Sequence, residues 1–110
     1  MQHWSALKEE RLVGRRAYRR TRLRIDVEVK DSGGGWEPAR LLELSVAGFR
    51  LELLPAMMRG RSLWLRVADV GPLPARVLWR DRAGVGCKFL YPISRDACEQ
   101  IARVPGEAAG

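Results

Sequence analysis

Leu23-Arg24-Ile25-Asp26-Val27-Glu28-Val29-Lys30 is the stretch that decides the fold. Apolar residues occupy every second position, and charged residues fill the positions between them. Successive side chains of an extended chain point to opposite faces, so this pattern is a strand with one face in a core and one in water. A helix turns by about 100° per residue and would scatter the same apolar residues around its circumference.

The alternation returns downstream. Asp31-Ser32-Gly33-Gly34-Gly35 reads as a turn, because glycine reaches positive φ at little cost. A second strand runs from about Arg40 to Leu44, and Ser45 to Gly48 breaks it. In the third, Phe49, Leu51 and Leu53 alternate with Arg50 and Glu52 until Pro55. Ser62 to Val67 forms a fourth, and Gly71-Pro72-Leu73-Pro74 reads as a turn. Ala75, Val77 and Trp79 share one face of a fifth strand, and Val85, Cys87 and Phe89 mark a sixth. Ser94 is a fitting N-cap for a closing helix over 94–104, where Ala97, Ile101 and Val104 fall at helical spacing. Strands this short, joined by frequent turns, predict an antiparallel sandwich or barrel with the helix over an open end or face.

Upstream of the first strand the chain is different in kind. Residues 1–24 hold eight basic residues against Glu9 and Glu10, so nearly all of the chain's net charge of +7 is gathered there. Residues 1–14 read as an arm, with a short helix placing Trp4 and Leu7 on one side. Arg15 to Arg20 has no apolar period and reads as a flexible loop, and the tail over 105–110 reads as frayed. Concentrated positive charge makes an anion-binding surface, for which phosphate-bearing ligands, nucleic acid and anionic lipid are all candidates, beside a plain solvated arm.

The length of 110 residues suits one domain. Cys87 and Cys98, eleven positions apart, match no zinc spacing and make no disulfide framework, which points to reduced, mostly buried thiols in a cytoplasmic protein. No apolar run reaches the roughly 20 residues a membrane span needs, and the N-terminus is too polar for a secretory signal. His3 is the only histidine, and no HExxH, GxSxG or P-loop pattern occurs. The carboxylates mostly fall on wet strand faces with no pair spaced for acid–base work, so no catalysis, metal or resident cofactor is expected.

Two short constellations carry binding chemistry. Arg15-Arg16-Ala17-Tyr18-Arg19-Arg20 contains RxxxR twice, just ahead of the first strand. Guanidinium groups grip phosphate through paired hydrogen bonds, stack on bases and pair with the O6/N7 edge of guanine. Tyr18 is placed either to stack on a base or to sit as a plain surface tyrosine. Glu43-Leu44-Ser45-Val46-Ala47-Gly48 lies where one strand ends and the next begins. Its short hydroxyl and its glycine would let a ligand approach the backbone, or would simply build a β-turn. Trp79 has two readings, an inward barrel residue or a groove lining, and Trp36 and Trp64 suit either a partner contact or a rim.

Together the two motifs, in this order and separated by the first strand, resemble the PilZ domain family of cyclic di-GMP receptors. In that family an RxxxR loop precedes a (D/N)xSxxG motif. Here Arg16 and Arg20 take the arginine positions, Ser45 and Gly48 the serine and glycine, and Glu43 stands where the family has Asp or Asn. Arg76-Val77-Leu78-Trp79 and Gly86-Cys87-Lys88-Phe89 look like the family's closing strands. The resemblance implies a stand-alone, six-stranded antiparallel β-barrel over residues 15–104, with a C-terminal helix and a flexible Arg-rich loop over 15–22. It implies cyclic di-GMP as ligand, held by Arg15, Arg16, Arg20, Glu43, Ser45, Gly48 and Trp79, with the loop ordering on binding and signalling to a protein partner. Arg15, just before the motif, resembles a feature that favours an intercalated ligand dimer. The other readings are a PilZ-like interaction module that does not bind cyclic di-GMP, and a small basic barrel for nucleic acid, against which the sparse surface aromatics count.

Overall fold

The computed structural model describes residues 20–31, 33–52 and 61–106. The expected short helix of the arm, Arg15 and Arg16, and the end of the third strand at Leu53 lie outside them. The elements are β1 (Thr21–Lys30), β2 (Glu37–Leu44), β3 (Gly48–Leu51), β4 (Ser62–Val67), β5 (Val70–Asp81), β6 (Gly84–Phe89) and α1 (Arg95–Ala102). The strands close into a barrel in the order β1-β2-β3-β6-β5-β4, with every pairing antiparallel. Of the sandwich and the barrel that the alternation and the turn signals leave open, the fold is the barrel, with the C-terminal helix, as the family resemblance implies.

The alternation in β1 does what its period requires. Ile25, Val27 and Val29 are buried, while Arg24, Asp26 and Glu28 are exposed. The corresponding apolar residues of the other strands fill the same interior, where the rings of Phe49 and Phe89 meet at 5.0 Å. Ser94 caps α1, its Oγ accepting from the Ala97 N–H at 3.0 Å. The helix sends Ile101 fully into the core, with Cys98 and then Val104 packed beside it. At the end of the described chain, a side chain on Gly106 would meet the Arg24 carbonyl of β1.

Two local expectations are corrected. Residues 71–74 are not a turn but part of β5; the turn is Ala68-Asp69, with Val67 paired to Val70. Ala68 takes the positive φ of 50° that this tight connection needs. Pro72 and Pro74 are tolerated because the β6 ladder pairs with β5 only from Ala75 onward; just beyond it the Pro74 carbonyl accepts from the Leu90 N–H at 2.9 Å, a bond that needs no N–H from the proline. Trp79 does not share a face with Ala75 and Val77. A bulge between Val77 and Trp79 inserts one extra residue and turns the tryptophan to the outer face.

Trp36 is engaged on the outside of the β1–β4 pair. The Arg66 guanidinium lies 4.0 Å from its ring centre, held there by Glu28 through Nε at 3.0 Å and Nη2 at 2.7 Å. Trp64, half-buried, stands in register with Lys30 and Pro74.

Both thiols are free, and burial pushes Cys87 up to about 12 against the opposing field of Arg80. Cys98 is raised first by burial and then by Glu99. Thiol titration at pH 8 should find Cys87 inert until denaturant is added. The folded chain keeps the Cys87 proton that the unfolded chain releases near pH 9, so stability should fall as the pH rises from about 9 towards 12. Urea midpoints that stay flat across that window in the wild type would contradict this, and Cys87→Ala should make the slope shallower, leaving the smaller part that Cys98 contributes.

Candidate ligand-binding face

The Ser45–Gly48 bend is held from inside by its serine. Ser45 is fully buried. Its Oγ accepts from the Ala47 N–H at 3.1 Å and the Gly48 N–H at 3.2 Å, while its own N–H donates to the Gly48 carbonyl at 2.8 Å. The hydroxyl is thus committed to the shape of the bend. Ser45→Ala leaves two buried N–H groups without their acceptor and should cost about 1–3 kcal/mol, read from the urea midpoint. A loss under about 0.5 kcal/mol would mean the bend is held by other contacts.

Gly48 is demanded by space rather than by its dihedral angles. A Cβ there would lie 2.3 Å from the Cys87 carbonyl oxygen and 3.2 Å from the Lys88 Cα, both backbone atoms of β6. The bend is tied further to the end of β6 and the segment after it, since Phe89 donates to Ala47 and Ile93 to Val46, each at 2.9 Å.

Register places the other candidates around this bend. Thr21, the first residue of β1, pairs with Leu44, the last of β2. The exposed Arg20 therefore enters the barrel beside Ser45. One step along, an outward row crosses the sheet: Arg22 opposite Glu43, Glu43 opposite Arg50, Arg50 opposite Gly86, and Gly86 opposite Trp79. Glu43 accepts from Arg50 Nε at 3.4 Å, and Arg50 Nη1 reaches the Ala83 carbonyl at 2.9 Å. Trp79 lies flat across Gly86, where any Cβ would fall within 2.6 Å of three ring atoms. A second outward row runs from Gly48 through Lys88 and Arg76 to Ser62. Beside it a groove of about 670 Å³ is lined by Arg61, Arg76, Trp79 and Arg80 among others.

One continuous outer face thus carries Arg20, Glu43, Gly48 and Trp79, with the buried Ser45 shaping the bend beneath it. Arg50 belongs to the face as well. Its signal in the sequence was its place on the wet side of the third strand, beside Glu43, but register across strands was needed to bring the two together. Among the described residues, no group of His, Cys, Asp and Glu could hold a metal, and no helix is long and apolar enough to cross a membrane. What the face offers is guanidinium and ammonium donors, a flat aromatic surface and a shaped backbone bend, which suits an anionic ligand with aromatic rings.

The sequence model of the PilZ domain matches residues 14–104. Among solved structures, an uncharacterized Legionella protein is similar to 76% of this chain and 85% of its own, at 13% identity and a TM-score of 0.49. No protein of curated function matches the sequence.

Proposed function

Because the chain belongs to the PilZ domain family, we propose that it is a receptor for cyclic di-GMP that binds on the outer face around the Ser45–Gly48 bend. The observation that carries this reading is the pairing of Thr21 with Leu44, which roots the arginine arm beside that bend. Arg16 and Arg20 fold down onto phosphate and guanine, and Arg15 adds a further guanidinium. The bend supplies the floor, and Trp79 offers a ring face to a base. Closing the arm over the ligand orders it and changes the surface presented to a protein partner, a disorder-to-order switch. In this reading the chain acts in the cytoplasm, where it binds rather than catalyses and needs no cofactor.

A second reading, an interaction module that does not take cyclic di-GMP, is favoured by one observation. Glu43, in place of the family's Asp or Asn, directs its longer side chain to Arg50 rather than leaving it for a guanine edge. Calorimetric titration of the whole chain with cyclic di-GMP separates the two. The receptor reading expects saturable binding with a defined stoichiometry, and heats that match dilution at every ligand concentration would hand the case to the interaction module.

A further inference from the structure

Lys88 and Arg76 stand directly opposite each other on β6 and β5, both exposed on the outer face. Like charges directly opposite each other destabilise a sheet. Among the described residues, no carboxylate forms an ion pair with either. The contrast with the rest of the barrel is informative: Arg66 has Glu28, Arg40 has Asp26 and Glu52, and Arg50 has Glu43. The uncompensated pair lies in the row that begins at Gly48, which has no side chain to screen the bend from Lys88. Arg61 extends the positive charge at the start of β4, where its carbonyl receives the Val77 N–H at 2.7 Å. The adjoining groove, at about 670 Å³, falls in the range of about 300–1,000 Å³ that small-molecule sites occupy.

We infer that Lys88 and Arg76 form a second phosphate subsite, which takes the phosphodiester of cyclic di-GMP that the arginine arm does not hold. The inference rests on the receptor reading above and extends it to residues outside the two sequence motifs. Adjacent strands are about 4.8 Å apart, so Arg76 is about 10 Å from Gly48, across one intervening strand. A flat dinucleotide lying on the bend spans that distance with its two phosphates on opposite sides. One phosphate then meets the arm and the other meets the opposed Lys88 and Arg76. A phosphate seated between them turns their mutual repulsion into shared attraction, and the ammonium and the guanidinium offer complementary donors to its oxygens. The repulsion in the empty state is the stability cost of a binding site.

The test is calorimetric titration with cyclic di-GMP of the full chain, of Arg76→Ala/Lys88→Ala, and of the charge-matched control Arg82→Ala/Arg95→Ala, whose residues are exposed on the β5–β6 turn and on α1. The subsite variant should bind about 10- to 100-fold more weakly, the scale of one charged hydrogen bond, and the control within about 3-fold. Without ligand the subsite variant should melt at the same temperature as the wild type or higher, since it loses only repulsion; this separates a binding role from a structural one. Wild-type affinity in the subsite variant, or an equal loss in the control, overturns the subsite while the receptor reading stands. A wild-type chain that does not bind the ligand overturns both.

Discussion

Gly48→Ala should destabilise the barrel by about 2–4 kcal/mol and abolish cyclic di-GMP binding with it. The added methyl group would sit 2.3 Å from the Cys87 carbonyl oxygen, and neither that oxygen nor the nearby Lys88 Cα belongs to a side chain that can swing aside. Relief must come from moving β3 away from β6. That movement strains the Gly48–Lys88 register and the bonds from Phe89 to Ala47 and from Ser45 to Gly48. Gly35→Ala is the matched control, because a Cβ there meets nothing within 4 Å. Urea midpoints for the two variants check the claim. It fails if they shift equally, since the cost would then be a property of any glycine replacement.

Arg16→Ala/Arg20→Ala should weaken cyclic di-GMP binding by roughly 3–5 kcal/mol, taking about 1.5–3 kcal/mol for each charged hydrogen-bonding group and some loss of additivity between neighbours. The urea midpoint should shift by no more than about 1 kcal/mol, because the polar contacts of an exposed arginine contribute little to stability. Arg20 precedes the first pairing of β1 at Thr21 and is exposed. The split between a large binding loss and a small stability loss is what distinguishes a ligand-gripping arm from a structural one. Affinity within threefold of wild type would show that the arm does not hold the ligand.

How much of this was legible in the sequence depends on the length scale of the signal. The strand period is local, so β1, β4 and β6 emerged close to their observed limits, and Ser94 marked the helix start through a contact three residues away. The proline-rich start of β5 reads as a turn in sequence because a proline's cost in a sheet depends on whether a partner needs its N–H. Only the barrel's register reveals that β6 does not extend so far. Trp79 was open between two faces for a similar reason, since a bulge reverses the alternation without any residue that announces it. At the site, the motif spacing picked out Ser45, whose hydrogen bonds close within three residues, and Gly48, although the demand for a glycine comes from β6 across the sheet. The rows joining Glu43 to Arg50 and Gly48 to Lys88 and Arg76 depend on strand order, which skips from β3 to β6. The sequence held those residues but not their adjacency.

In the receptor reading, the arginine arm closes onto the bend with a cyclic dinucleotide between them. An amide NMR titration of the isotope-labelled chain with cyclic di-GMP tests it most directly. Saturating shift changes are expected at Arg15 to Arg20 together with Val46 to Gly48 and Lys88, on one common binding curve, while amides of the β1–β4 pairing around Glu28 and Arg66 stay put. Changes confined to the arm with an unmoved bend, or no changes at all, would contradict it.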